Sequence, residues 1–274
     1  MNFNVTVIIP VYNAEAYLRN AVQSALAHDC VKEVILIEDK SPDNALSICK
    51  ELVKEDQRVK LFLHPNNENR GAGASRNLGL KNASSDFISF LDADDWYEPN
   101  RFDAESVIFR NPEIDGVYGA SGCFNVYNNS FTDELVTMGK EVLPKDLLYE
   151  IVRPSGGRFN TNAITVRKSL LQKSGIFNVE LRLHQDTELF LRFAYFGNIV
   201  GGELKTPISY YRKHSNNRIT TLNKASLLKF GEHSLNFFLK QPNVDKRFLR
   251  VMLKLIVINK SKSNNLHNRL MCLF

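Results

Sequence analysis

Residues 5–10 read VTVIIP, an apolar, β-branched run that ends in proline and predicts a buried strand. Residues 14–28 follow, and their apolar positions have the spacing of an amphipathic helix. We expect Asn13 to be the N-cap of this helix, and the acidic Glu15 suits its first turn. A strand followed directly by a helix is the first unit of an α/β fold.

The same alternation continues to about residue 110. The further predicted elements are a strand over 34–37, a helix over 45–54, a strand over 59–63, a helix that ends near residue 82, and a strand over 87–91. Strands that alternate with helices predict a mainly parallel, Rossmann-like sheet flanked by helices.

Polar residues follow the predicted strands at the points where the strands end. Tyr12 follows the first strand and Asp39 the second, a glycine loop over 65–73 follows the third, and the acidic run DADD (92–95) follows the fourth. Because parallel strands present their carboxyl ends at one sheet edge, where ligands bind, we expect a ligand site there.

The second half of the chain is less regular. We predict extended structure over 117–127, a strand over 163–166, a helix over 187–195, a strand over 204–212, and helices from residue 224 onward. These patterns divide the chain into residues 1–110, residues 111–222 as the second half of the same domain, and a basic helical C-terminal extension over 223–274.

The composition is that of an ordinary globular protein, with 43% hydrophobic and 24% charged residues. The four cysteines form no close pairs, which favours free thiols in a reducing compartment. No segment has the pattern of a signal peptide or the length of a membrane span. We therefore expect a cytoplasmic protein, with a place at the inner face of the membrane left open.

Basic charge is concentrated at the C-terminus. Residues 223–274 hold ten lysines and arginines against two acidic residues, although the net charge of the whole chain is +5. Apolar and basic residues alternate there, which fits either peripheral contact with an anionic membrane or packing against the catalytic domain with lysines exposed. No groove-reading motif or aromatic-basic platform appears, so a nucleic-acid partner is not expected.

The motif Asp92-Ala93-Asp94 follows an apolar strand. Two carboxylates two residues apart can share a hard cation such as Mg²⁺ or Mn²⁺, which also binds diphosphate. The alternative is an acidic loop that caps the next helix. A haloacid dehalogenase type of phosphotransferase is disfavoured, because Trp96 occupies a position where that class has threonine or valine.

Gly71 and Gly73 lie in a loop flanked by Arg70 and Arg76. A dinucleotide-binding motif is disfavoured because Arg76 occupies the third glycine position. The glycines could instead allow close approach to a ligand, and the arginines could bind a diphosphate.

Two other residues at the sheet edge have open roles. Asp39 could accept the N3–H group of uracil or only cap a turn, and Tyr12 could stack on a base or only pack.

Four ordered motifs resemble those of family 2 glycosyltransferases. They are residues 7–15 (VIIPVYNAE), 37–43 (IEDKSPD), 69–77 (NRGAGASRN) and 90–95 (FLDADD). The resemblance covers about residues 5–215 and implies the GT-A fold, a nucleotide-sugar donor, and a metal-dependent inverting transfer. Glu38 and Lys40 depart from the usual Asp-Asp-Gly-Ser of the second motif.

The resemblance also implies roles for individual residues. It makes residues 1–110 the nucleotide-sugar-binding half and residues 111–222 the acceptor-binding half. The predicted donor-binding residues are Pro10, Tyr12, Glu15, Asp39, Arg70, Gly71, Gly73, Arg76, Asp92 and Ala93. Asp94 would hold Mn²⁺ or Mg²⁺ at the diphosphate together with Asp92.

An inverting transfer needs a general base for the acceptor hydroxyl. The family's Glu-Asp pair corresponds here to Gln185 and Asp186, so the resemblance implies Asp186 as the base. Glu188 is the second candidate, and the other reading of Asp186 is an acid that suits a helix N-terminus. The run from Tyr210 to His214 also resembles a family segment, in which His214 would be a third metal ligand or a diphosphate contact.

The sequence thus predicts an inverting, metal-dependent glycosyltransferase that moves a sugar to a saccharide or lipid-linked saccharide acceptor. Asp39 favours a UDP-sugar as the donor, and GDP- and dTDP-sugars are the alternatives. The expected setting is bacterial surface polysaccharide or glycolipid synthesis. The alternatives are a catalytically silent, nucleotide-binding partner of another transferase and a sugar nucleotidyltransferase.

Overall fold

A computed structural model describes residues 3–214 and 223–260. Its larger sheet has seven strands, in the spatial order β10 (Ile199–Gly201), β6 (Gly116–Tyr118), β9 (Ile164–Arg167), β4 (Phe87–Phe90), β1 (Val5–Val11), β2 (Val31–Glu38) and β3 (Val59–Leu63). Only β9 runs antiparallel to its neighbours, β4 and β6. The predicted mainly parallel sheet is confirmed.

A smaller four-stranded sheet lies beside the first. Its strands are β5 (Trp96–Tyr97), β11 (Pro207–Lys213), β7 (Ala120–Asn125) and β8 (Ser130–Val136). Strand β5 begins one residue after the acidic run 92–95 and pairs with β11, so the smaller sheet is fixed to the edge of the larger one.

Nine α-helices occur in the described residues. They are α1 (Leu18–Leu26), α2 (Ala45–Glu55), α3 (Ala72–Asn82), α4 (Asp103–Ile108), α5 (Pro144–Glu150), α6 (Lys168–Ser174), α7 (Gln185–Phe196), α8 (Lys224–Phe238) and α9 (Lys246–Lys260). Short 3₁₀ turns occur at Pro65–Asn67 and Thr161–Ala163. In this part of the chain, no helix combines the length and apolar character that a bilayer crossing requires.

The larger sheet separates two hydrophobic clusters. Alternate side chains of β1 enter opposite clusters, with Ile8 on one face and Val7 and Ile9 on the other. The Ile8 face is covered by α3, α5, α6 and α7 and also by α8 and α9, which contribute Phe238 and Phe248. The other face is covered by α1, α2 and α4. Both C-terminal helices therefore pack on the body of the protein.

The prediction of a helix over 14–28 with an Asn13 N-cap is wrong at its start. The helix begins at Leu18, and Asn13 has a φ of 53°, in the left-handed region. Contacts with the next loop hold this segment in a turn: the Glu15 backbone N–H donates to Asp43 (2.7 Å), and the Glu15 carboxylate accepts the Asn44 N–H (3.0 Å).

The extended stretch predicted over 117–127 is divided between the two sheets. Strands β6 and β7 meet at Gly119, where a Cβ atom would lie 2.4 Å from the Ile208 side chain and 3.0 Å from the Glu203 carbonyl oxygen. Glycine thus allows the chain to pass between sheets at a crowded point. The hydrophobic pattern alone did not indicate this break.

Candidate functional site

The carboxyl ends of β1, β2, β3 and β4 meet at one edge of the larger sheet, as predicted. The backbone N–H of Asp39 donates to the Val11 carbonyl (2.9 Å), and that of Leu91 donates to the Ile8 carbonyl (3.1 Å). These bonds hold the loops that carry Tyr12, Asp39 and the acidic run side by side.

Asp39 holds the glycine loop. Its two carboxylate oxygens accept the backbone N–H groups of Arg70 (2.6 Å) and Gly71 (2.8 Å), and its side chain is only 2% exposed. The Asn69 side-chain amide donates to its backbone carbonyl (2.8 Å). Gly71 has a φ of 83°, which favours glycine, and is the N-cap of α3. A contact of Asp39 with a base stays a prediction.

A cleft of about 330 Å³ lies between this loop and the segment before α7. One wall is the run 69–74, and Tyr12 (42% exposed) contributes to the lining. The other wall is formed by Val179, Leu181, Arg182, Leu183 and Gln185. The cleft therefore includes Tyr12, Arg70, Gly71 and Gly73 from the predicted donor-binding set.

Gly73 is where the two walls meet. A Cβ atom there would lie 2.0 Å from Oε1 of Gln185, the first residue of α7. The absence of a side chain at Gly73 thus lets the N-terminus of α7 approach the N-terminus of α3. This contact brings Asp186, the next residue of α7, to the region of the glycine loop.

A second contact fixes the same wall. The Asn77 side chain accepts the Phe177 backbone N–H (2.9 Å) and donates to the Phe177 carbonyl (2.8 Å). Arg76, one residue earlier, lies over the Phe177 ring at 5.4 Å. Asn77 was part of a quoted motif, but it was not predicted as a site residue because its partner is 100 residues away.

The remaining predicted donor-binding residues lie outside the cleft lining. The side chains of Pro10 and Ala93 are buried in the structure. Glu15 is exposed and bonded to Asn44. Arg76 is 5% exposed and pairs with Asp92, and its Nε has no hydrogen-bond partner in the described part of the chain.

The acidic run contains three carboxylates in different surroundings. Asp92 pairs with Arg76, and its side chain is 39% exposed. Asp94 accepts a hydrogen bond from, or donates one to, Nε2 of His214 at 2.9 Å, and its side chain is 32% exposed. Asp95 is buried and accepts the Arg212 backbone N–H (2.8 Å) and the Asn162 side-chain amide (2.6 Å).

The carboxylates influence one another electrostatically. Burial and then the charge of Asp92 raise the pKa of Asp94, against the opposing effect of His214. Burial, followed by the charges of Asp94 and Asp92, raises the pKa of Asp95 well above its ordinary value. Burial and mutual repulsion thus disfavour the simultaneous ionisation of these carboxyl groups.

Asp92 and Asp94 offer oxygen ligands of the kind that a divalent cation takes. Within residues 3–214 and 223–260, no three or more histidine, cysteine, aspartate or glutamate side chains are arranged to hold a metal, so Asp92, Asp94 and His214 do not form a closed site. Magnesium typically takes one or two carboxylates and completes its shell with water and substrate phosphates. Asp92 and Asp94 repel each other in a way that a bound cation would relieve.

Arg212 connects the smaller sheet to the acidic run, a role the sequence did not reveal. Its guanidinium donates to the Asp94 backbone carbonyl and to the Asn20 side chain, and it lies over the Trp96 ring at 4.3 Å and the Tyr17 ring at 4.9 Å. In the sequence, only its position two residues before His214, in a segment that resembles the family, could have indicated that Arg212 belongs to the site.

Two carboxylates at the start of α7 differ in environment. Asp186 is half-buried, and its Oδ1 accepts the Thr187 backbone N–H (2.7 Å). Glu188 is buried and forms an ion pair with Arg192 at 2.6 Å. Since Glu188 is already engaged, Asp186 is the better candidate for a base, and that role stays a prediction.

Comparison with known proteins identifies the family. The model of glycosyl transferase family 2 matches residues 6–131. An uncharacterized glycosyltransferase of Haemophilus influenzae is 30% identical over 188 residues, which are 68% of this chain and 70% of that protein. The chain belongs to glycosyl transferase family 2.

One further relative of this glycosyltransferase and one solved structure of similar fold are informative. The minor teichoic acid biosynthesis protein GgaB of Bacillus subtilis is 32% identical over 158 residues, which cover 51% of this chain but 17% of GgaB. The structure of S. aureus TarS in complex with UDP-GlcNAc superposes with a TM-score of 0.71 at 20% identity, covering 96% of this chain and 74% of that one. The TarS match confirms the predicted fold.

Proposed function

We propose that this glycosyltransferase moves a sugar from a UDP-sugar to an acceptor hydroxyl with inversion at the anomeric carbon. The observation that carries the proposal is the contact between Gly73 and Gln185. It joins the glycine loop, suited to a nucleotide diphosphate, to the helix that bears Asp186. A donor in the cleft would thus have its reacting end near a carboxylate from the second half of the chain.

The cleft contains side chains of the kinds that bind a nucleotide sugar. Tyr12 offers an exposed ring for stacking on a base, and Arg70, which pairs with Glu68 at 3.1 Å, lies in the lining beside the N-terminus of α3. The binding of UDP-GlcNAc by TarS, which has the same fold, supports uridine as the base.

Asp92 and Asp94 would hold a divalent cation, Mn²⁺ or Mg²⁺. His214 lies beside the Asp94 carboxylate. Such a cation supplies Lewis-acid stabilisation of the departing diphosphate. Arg76 keeps Asp92 in place by pairing with one of its oxygens.

In the proposed step, the acceptor oxygen forms a bond to the anomeric carbon while the bond from that carbon to the diphosphate oxygen breaks. The electron pair of the broken bond leaves with the nucleoside diphosphate. Asp186 takes the proton from the acceptor hydroxyl. Attack opposite the leaving group inverts the anomeric configuration.

The acceptor is proposed to be a saccharide or lipid-linked saccharide in surface polysaccharide synthesis at the cytoplasmic face of the membrane. The similarity to GgaB, named for minor teichoic acid biosynthesis, supports this setting. The intact set of Asp92, Asp94 and Asp186 favours an active transferase over a silent nucleotide-binding partner.

Thermal unfolding with UDP-, GDP- and dTDP-sugars, each with Mn²⁺ and with EDTA, tests the donor. A ligand at 100 times its dissociation constant adds about 2.7 kcal/mol to the free energy of unfolding. We expect a UDP-sugar to stabilise the wild type when metal is present and not in EDTA. The Asp94→Asn variant should show no stabilisation, whereas Asp133→Asn, a control at an exposed position, should behave as the wild type does. Stabilisation by no nucleotide sugar would contradict the proposed donor site, and stabilisation without any UDP release would favour the silent-partner alternative. Stabilisation by a nucleoside triphosphate instead would favour a nucleotidyltransferase.

A further inference from the structure

Helix α9 presents one continuous exposed face. From Arg247 onward its exposed residues follow a spacing of three or four, and Lys246 lies four residues before Arg250, so they lie along a single stripe of the helix. They are Lys246, Arg247, Arg250, Leu253, Val257 and Lys260. The opposite side carries the buried Phe248 and Met252, which pack in the core. The stripe is thus a solvent-facing surface of a helix that is firmly fixed to the body.

The α9 stripe combines exposed apolar side chains with four cations, two of which pair with carboxylates of neighbouring segments. Leu253 is 51% exposed and Val257 46% exposed. The helix itself contains no acidic residue, and neither does the sequence that follows it to residue 274. The stripe therefore has cations around an apolar centre and no carboxylates of its own.

The cations of the α9 stripe fall into two groups. Arg247 pairs with Asp146 and Asp245, and Lys260 pairs with Glu232. Lys246 and Arg250 form no ion pair with any residue in 3–214 or 223–260. The first group attaches the helix to the protein, and the second is available to an external anion.

A second copy of the chain is a poor partner for the α9 stripe. A two-fold contact would bring the same surface of both copies together and so place like cations in proximity. An anionic bilayer complements both the cations and the apolar side chains of the stripe. Its headgroups attract the cations, and its interface accepts the leucine and valine side chains.

We propose that the α9 stripe docks on an anionic phospholipid surface. The helix would lie in the plane of the interface, with Leu253 and Val257 inserted and Lys246 and Arg250 at the headgroups. This docking does not depend on the identity of the sugar donor. It would keep the enzyme beside a lipid-linked acceptor.

Co-sedimentation with vesicles tests the docking surface. The full chain is mixed with vesicles of phosphatidylcholine alone or of phosphatidylcholine and phosphatidylglycerol in equal parts. We expect binding only to the second kind, and weaker binding as salt is raised. Each basic residue near an anionic surface strengthens partitioning by about fivefold, so Lys246→Ala with Arg250→Ala should weaken it by about 25-fold.

Two further double variants sharpen the test. Leu253→Ser with Val257→Ser should also reduce binding, whereas Lys50→Ala with Lys54→Ala, which removes two exposed cations from α2, should not. Thermal unfolding checks that each variant is folded. Failure of the wild type to bind phosphatidylglycerol vesicles, or equal binding by the α9 variants, would overturn the proposal. So would a dimer in solution that the Leu253 and Val257 substitutions dissociate, because the stripe would then be a subunit interface.

Discussion

At the scale of single residues, Asp186 and Glu188 show how two nearby carboxylates acquire different environments. Both lie in the first turn of α7. Glu188 is buried against Arg192, whose guanidinium also donates to the backbone carbonyls of Ser174 and Ile176. Asp186 is half-buried and bonded only locally in the described structure. Glu188 is therefore suited to holding α7 in place, and Asp186 has the environment that the proposed base requires.

Replacing Asp186 by asparagine removes the proposed base and keeps the shape of the side chain. We expect kcat to fall by about 10²- to 10⁴-fold, the usual contribution of general base catalysis. Donor affinity should change little, because Asp186 does not line the donor cleft. Steady-state kinetics with a donor titration measures both. Unchanged kcat would show that another group accepts the proton.

Replacing Glu188 by alanine should act on stability instead. The change leaves the Arg192 charge buried without its carboxylate, a loss that typically costs about 3–5 kcal/mol. Chemical denaturation at neutral pH measures the free energy of unfolding. Asp133→Asn, on an exposed strand, is the control and should be neutral. A Glu188→Ala variant of wild-type stability would contradict this structural role.

At the scale of elements, the approach of α3 to α7 depends on one missing side chain. Gly73→Ala would place a methyl group 2.0 Å from Gln185 Oε1, so the glutamine must move or α7 must shift. Small displacements of reacting groups can lower rates by up to about 100-fold. We expect kcat to fall, and the added change Gln185→Ala to restore much of it. If the double variant were as impaired as Gly73→Ala, the contact would not be the cause.

The larger sheet contains a buried carboxylate, Glu33, whose ionisation is linked to folding stability. Glu33 of β2 is buried and accepts bonds from Lys60 (2.5 Å), Thr6 (2.7 Å) and the Ser84 backbone (2.9 Å). Burial alone would raise its pKa, but these bonds together lower it below the ordinary 4.5. A lowered folded-state pKa gives stability that is full above the unfolded-state value and is lost as pH falls through the folded value.

Comparison of the wild type with Glu33→Gln measures how the contribution of Glu33 to the free energy of unfolding depends on pH. The free energy of unfolding should favour the wild type near neutral pH, and the difference should shrink as the solution is acidified below about pH 4.5. Urea denaturation over a pH series gives both curves. A difference that stayed constant with pH would mean that the Glu33 carboxylate is not linked to folding.

Local sequence patterns predicted the elements that repeat regularly. The strand over residues 59–63 was predicted at its observed bounds, and the other early strands and helices α2 and α3 were located correctly. The start of α1 was wrong because tertiary bonds from Asp43 and Asn44 override the helical pattern after Asn13. Short elements such as β5 and β10, with two and three residues, hold too little periodicity to be found.

At the scale of the whole molecule, the site joins parts of the chain that are far apart in sequence. The motifs of the first 95 residues were visible in sequence, and the structure brings their loops to one edge. The supports from Asn162, Phe177 and Arg212 were not predicted, because their contacts cross about 70 to 118 residues. Which half of the chain supplies the donor and which the acceptor site stays a prediction.

The C-terminal helix α9 has two faces with different surroundings. Packing against the domain and contact with a membrane were two alternatives in the sequence, but they involve different faces of the same helix. One face of α9 contributes Phe248 and Met252 to the core, while the α9 stripe remains exposed. Packing is therefore established, and lipid docking is the proposal that the vesicle experiment tests.

The metal dependence of sugar transfer is measured directly as release of UDP from the UDP-sugar that stabilises the protein. The assay compares Mn²⁺ with EDTA for the wild type, Asp94→Asn and the control Asp133→Asn. We predict metal-dependent UDP release by the wild type and the control, and a loss of at least about 100-fold in Asp94→Asn, as for removal of a major electrostatic group. Equal release in EDTA, or full activity of Asp94→Asn, would contradict a metal-dependent transfer at the acidic run.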